Sequence, residues 1–100
     1  MQVTTSRTGD QIIATFAGKL SFADNVPFRK ILDEVRTGGA KSCIFDFAGL
    51  DMVDSSGLGM IMIAIEAAKK QGWTLSVRNA HGPVEELLRL SRLDALLKAA

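Results

Sequence analysis

Hydrophobic and polar positions change period several times along the chain, and each change marks an element. Gln2 to Ser6 and Gln11 to Ala17 read as strands, the second built on Ile12-Ile13-Ala14-Thr15-Phe16, rich in β-branched and aromatic residues. Arg7-Thr8-Gly9-Asp10 between them is a turn with a glycine free to take positive φ, so an antiparallel hairpin is expected, with Gly18 ending it. Phe28, Ile31, Leu32 and Val35 then recur at helical spacing, with Arg29, Lys30, Asp33, Glu34 and Arg36 on the other side. Asp24 or Asn25 can cap this helix, Pro27 is tolerated in its first turn, and Gly38-Gly39 stops it. Ser42 to Phe47 is almost continuously apolar, as in a strand covered on both faces, and Asp46 interrupts it near its end. A second helix is predicted from about Ser56 to Gln71. Lys69 and Lys70 match its negative end, and Gly72 terminates it. Trp73 to Arg78 is a fourth strand. Pro83 opens a third helix with Val84, Leu87, Leu88 and Leu90 on its apolar side, and Arg92 to Lys98 gives a short final helix or a continuation.

The order β-β-α-β-α-β-α predicts an α/β fold, with parallel strands joined by right-handed helical crossovers and one antiparallel edge. A length of 100 residues without repeats or long linkers suits a single domain spanning 1–100. Apolar residues make up 47% of the chain, enough for a packed core rather than disorder. A net charge of +1 gives no support to nucleic acid or an anionic membrane as the main partner. Cys43 is the only cysteine, so neither an internal disulfide nor a thiolate metal cluster can form, and its setting in Cys43-Ile44-Phe45 is that of a small core residue. The first residues carry no charged-then-apolar leader. The longest apolar run, Leu58 to Ile65, is broken by Gly59 and falls far short of the ~20 residues that span a bilayer. A cytoplasmic protein without membrane insertion is expected.

Chemistry concentrates at Asp54-Ser55-Ser56-Gly57-Leu58-Gly59. Ser55 can cap the second helix. If Ser56 or Asp54 caps instead, the serines are open to another protein. The helix that follows is apolar nearly all round. Leu58, Ile61, Ile65 and Ala68 suit the sheet, whereas Met60, Ile63, Ala64 and Ala67 lie on a different face and Met62 adds to the excess. Such a helix is either deeply buried or docks something. Asp46, Asp51 and Asp54 cluster near the same connection, but three acids without an organised loop of oxygen ligands are a weak cation site, and no metal is expected. Ser55, His81 and Asp46 can be written as a triad only on paper, so no catalytic group is assigned and an enzyme is not expected. The glycines are not followed by the lysine and hydroxyl residue of a phosphate loop, and no cofactor is expected.

Ile44-Phe45-Asp46-Phe47, a short spacer and Val53-Asp54-Ser55-Ser56-Gly57-Leu58-Gly59 together resemble the signature of the STAS domain, named for sulphate transporters and anti-sigma factor antagonists. The resemblance extends from the Gly18 turn to Leu90-Ser91-Arg92-Leu93 and covers most of the chain. It implies a STAS-like mixed sheet of about four to five strands with an N-terminal antiparallel hairpin and three to four packed helices. With nothing appended, the chain is similar to the free-standing anti-sigma factor antagonists of bacteria. Such a protein regulates transcription by partner switching. Unphosphorylated, it binds an anti-sigma factor that is itself a serine kinase of the GHKL-type ATPase fold; phosphorylated, it lets go; a PPM-type (PP2C-like) phosphatase resets it. The resemblance makes Ser55 the phosphoacceptor. It implies a partner surface of Asp54, Ser55, Ser56, Gly57, Leu58, Met60 and Met62, joined by Ser21 and Asp24. Phosphorylated relatives often carry an aspartate in a Gly-x-Leu-Asp turn. Here the turn is Gly18-Lys19-Leu20-Ser21, and Asp24 three positions later either fills that role or only caps the helix. The departure keeps a second reading open: a non-phosphorylated STAS scaffold or receptor-associated signalling subunit.

Overall fold

β1 (Gln2–Thr8) and β2 (Gln11–Leu20) form the expected antiparallel hairpin, with Gly9 at φ +60° in its turn. β3 (Ser42–Val53) lies parallel to β2, and β4 (Thr74–Arg78) parallel to β3, giving a four-stranded sheet in the order β1-β2-β3-β4. A 3-10 turn (Phe22–Asp24) leads into α1 (Asn25–Thr37); α2 (Ser55–Gln71), α3 (Gly82–Leu90) and α4 (Ala95–Lys98) complete the fold. This computed structural model describes residues 1–93 and 95–98. Asp94, inside the expected final helix, lies outside the described residues. The α/β class, the hairpin and the mixed sheet agree with the expectation from sequence.

One sheet face carries the core. Ile12, Cys43 and Leu75 stand side by side across β2, β3 and β4, as do Ala14, Phe45 and Val77, and all six are buried. Phe16 stacks edge-on against Phe45 and Phe47 at centroid distances of 5.1 and 5.2 Å. Phe28 brings α1 against Phe45 at 5.7 Å. Such pairs contribute about 0.5–1.5 kcal/mol each beyond the area they bury. The other face is more open. Thr15 is exposed and Ile13 and Ile44 are half-buried, so β3 is fully covered on one face rather than on both.

Two strands run further than their sequence pattern suggests. The pattern ends the second strand at Gly18 and the third at Phe47, yet β2 continues to Leu20 and β3 to Val53. Pairing resumes at Ala17↔Gly49 and Gly18↔Leu50 and ends at Leu20↔Val53. Register shifts after Thr15 and Gly18 absorb the extra residues, as bulges do, and Gly18 takes φ +90°. Buried Leu20, Leu50 and Val53 reward the extension with apolar contact.

The extension places the start of α2 directly on the end of β2. The Asp54 N–H donates to the Leu20 carbonyl at 3.2 Å. A Cβ on Gly57 would overlap that carbonyl oxygen and lie 2.9 Å from Val53 Cγ1. Gly57 is therefore required by packing. Gly57→Ala should destabilise the fold by about 1–3 kcal/mol, the scale of core overpacking, although alanine is the better helix former by about 1 kcal/mol. Urea unfolding monitored by circular dichroism checks this; unchanged stability would mean that α2 sits further from β2.

Candidate functional site

The ends of β2 and β3 deliver Ser21 and Asp54 to the same side of the molecule, one leading into the 3-10 turn and the other into α2. Asp54 has extended backbone angles (φ −86°, ψ −178°), and its Oδ1 accepts the Gly57 N–H at 2.8 Å. Asp54 is thus the N-cap, a role contributing about 0.5–2 kcal/mol. Ser55 is the first residue of the helix, and its exposed hydroxyl is not committed to capping. Ser56 is exposed as well, and Leu58 is half-buried.

Three residues of the expected partner surface turn out to be internal. Gly57 is buried against Leu20 and Val53. Met60 is only 6% exposed and belongs to the core. The buried stripe of α2 is Gly57, Met60, Ile61, Ala64 and Ala68, because the helix packs against α1 as well as against the sheet. Met62 and Ile63, 45% and 49% exposed, are the apolar residues that face outward.

Asp24 is the third correction. Its carboxylate is buried and accepts the Ser21 backbone N–H at 2.9 Å, the Ser21 hydroxyl at 3.2 Å and the Met1 amino group at 3.1 Å. The Asp24 N–H in turn donates to the Ser21 carbonyl, closing the turn reciprocally. Burial alone would raise the Asp24 carboxyl, but the Ser21 backbone N–H, the amino group and the Ser21 hydroxyl together hold it below the ordinary carboxylate range. Asp24 therefore braces the turn and makes no side-chain cap to α1, while Ser21 stays half-buried. Asn25, the other candidate cap, is the first residue of α1, and its Oδ1 accepts from Arg29 Nε at 2.9 Å.

Between this turn and α2 runs a groove of about 270 Å³. Phe22, Asn25 and Arg29 line one side, Ser56, Gly59 and Ile63 the other, and the buried Met60 also reaches it. Phe22 is 72% exposed, and Val26 nearby in sequence is 71% exposed. Sequence reasoning centred on α2 missed the Phe22 side. The available signal was that Phe22 and Val26 are apolar yet fall off the Phe28, Ile31, Val35 stripe that α1 buries.

The other candidate groups serve the scaffold. Asp46 is buried and accepts the Ala48 N–H at 3.0 Å, Arg78 Nε at 3.0 Å and Asn79 Nδ2 at 3.1 Å. Burial would raise its carboxyl, but these donors and the Arg78 charge hold it below its ordinary value. His81 Nε2 lies 2.9 Å from the Ala48 carbonyl, so it donates there as an N–H. Neither Asp46 nor His81 is bonded to Ser55, and the paper triad is not assembled. Among the described residues no group of three or more His, Cys, Asp or Glu is placed to hold a metal ion. Burial pushes the Cys43 thiol up to about 12, as suits a core residue.

The chain matches a family model described as Mlab, STAS domain over residues 3–98. Among solved structures, the anti-sigma factor antagonist SpoIIAA in its unphosphorylated form superposes with a TM-score of 0.84 at 18% identity, covering 96% of this chain and 85% of that one. The phosphorylated form of SpoIIAA from Bacillus gives 0.78 at 17% identity, covering 96% and 88%. An anti-sigma factor antagonist from Mycobacterium paratuberculosis gives 0.79 at 15% identity, covering 96% and 81%. At such identities the likeness is one of fold. No curated protein matches the sequence.

The Asp46 hub generates a pH prediction. A carboxylate whose folded value is depressed stabilises the fold above its unfolded value and loses that contribution as pH falls through the folded value. Asp46→Asn should cost about 1–3 kcal/mol at neutral pH. The gap to the wild type should close as pH drops below about 4. Thermal melts of both proteins from pH 7 to pH 2 check this; a gap independent of pH would remove the charge of Asp46 from the account.

Proposed function

The chain belongs to the STAS domain family, and from that premise we propose that it is a regulatory binding module that docks a partner through its Ser55 face and releases it when Ser55 is phosphorylated. The partner in this reading is an anti-sigma factor serine kinase of the GHKL type. The module acts as an anti-sigma factor antagonist, and a PPM-type phosphatase restores the unmodified form. It works by association and not by catalysis, and it meets the kinase in the cytoplasm. No described helix is long and apolar enough to cross a membrane.

The observation that carries the reading is an exposed hydroxyl at the first position of α2, left free because Asp54 caps, next to a groove edged by exposed Phe22 and Ile63. A kinase can reach that oxygen without unfolding anything. The phosphate adds about −1.5 to −2 charges. At a helix N-terminus the fold tolerates this, since the dipole returns ~0.3–1 kcal/mol while the neighbouring Asp54 opposes it. At an interface the same charge must shed water or face like charge, which costs several kcal/mol. Each 1.4 kcal/mol weakens binding about tenfold, so association responds and the fold does not.

The second reading, a STAS scaffold that is never phosphorylated, is favoured by two observations. Ser21 stands where phosphorylated relatives often carry aspartate, and the matching family model bears the name Mlab rather than that of an anti-sigma factor antagonist.

Incubation with a GHKL-type anti-sigma kinase and ATP, read by mass spectrometry, should place one phosphate on Ser55. Ser55→Ala should bind that kinase as tightly as the wild type, and Ser55→Asp at least about tenfold more weakly, with both variants melting within a few degrees of the wild type. No phosphate and equal binding by the two variants would transfer support to the scaffold reading.

A further inference from the structure

The two glycines of Gly57-Leu58-Gly59 do different work. Gly57 is demanded from within, because a Cβ there would overlap the Leu20 carbonyl. Gly59 is not. It lies in α2 with no positive φ, and a Cβ built on it would meet nothing within 4 Å. Neither backbone conformation nor packing inside the chain calls for glycine, and glycine is among the least favourable residues in a helix. Gly59 forms part of the wall of the groove that holds Phe22, Arg29 and Ile63.

The groove has a cation without an ionic partner. Arg29 donates through Nε to the neutral Asn25 Oδ1 at 2.9 Å, and among the described residues it forms no ion pair. The volume of about 270 Å³ lies below the ~300–1,000 Å³ of typical small-molecule sites and suits protruding side chains. We propose that the missing side chain at Gly59 keeps the groove open for an aliphatic side chain of the partner, carried on a segment whose carboxylate pairs with Arg29. The charge of Arg29 selects an acidic amphipathic segment over a basic one. A phosphate on Ser55, adjacent to the groove-lining Ser56, brings like charge toward that carboxylate. The inference rests on the Ser55 face being the docking face and adds what the docked segment is made of.

The test uses the purified chain and a GHKL-type anti-sigma kinase, with affinity from calorimetry and stability from thermal melts. Gly59→Leu should fold and bind at least about tenfold more weakly. Gly59→Ala should raise Tm by about 4–8 °C while weakening binding several-fold. Arg29→Glu should weaken binding tenfold or more, and Arg29→Met should flatten the rise of Kd with salt. Leu90→Ala, at a position 75% exposed and outside the groove lining, should bind as the wild type does. Wild-type affinity in Gly59→Leu and Arg29→Glu, with Ser55→Asp still weakened, overturns this inference and leaves the docking face standing. Wild-type affinity in all three variants, or no binding by the wild type, overturns both.

Discussion

The contact between α2 and the end of β2 governs the geometry of the Ser55 face. Parallel pairing that continues to Leu20↔Val53 carries the chain to one point, where the Leu20 carbonyl accepts the Asp54 N–H and leaves room only for a hydrogen at Gly57. With Gly57 pressed there, the Asp54 carboxylate reaches its N–H and caps the helix. The next residue, Ser55, then faces outward. The same strand ends set the 3-10 turn beside α2, and the groove is the space between them.

In the proposed reading, this arrangement separates stability from signalling. The charged groups that hold the site together are paired within the domain: Asp24 by the Ser21 donors and the Met1 amino group, Asp54 by the helix it caps, Asp46 by Arg78, Asn79 and a backbone N–H. None of these bonds involves the Ser55 oxygen. A modification there changes the surface by nearly two charges, while the aromatic cluster of Phe16, Phe28, Phe45 and Phe47 lies fully buried beneath. The balance between a dipole gain below 1 kcal/mol and an interfacial cost of several kcal/mol is what makes a switch of association the sensible chemistry.

The sequence made the elements legible wherever period and punctuation agreed. Of the apolar face Phe28, Ile31, Leu32 and Val35, three members form the buried stripe of α1 and Leu32 is half-buried at its edge. Strand lengths were hidden because glycine signals a break equally well whether the chain turns or merely bulges, as at Gly18. The face of α2 was misread because nearly every residue in it is apolar, so period alone could not choose between Met60 and Met62; packing against α1 made the choice. Asp24 was ambiguous for a different reason. Its bonds to Ser21 and Met1 depend on a turn conformation that no spacing rule specifies. The serine motif was the most legible part, yet which member caps depended on the approach of Gly57 to Leu20, a tertiary fact.

The most direct measurement is amide hydrogen exchange on the chain alone, bound to the kinase, and bound after phosphorylation of Ser55. The account predicts that binding adds protection within residues 21–29 and 55–63, that phosphorylation abolishes this added protection, and that exchange in the core strands is unaltered throughout. Added protection on β1 or α3 with residues 55–63 unchanged, or core strands loosened by the phosphate, would contradict it.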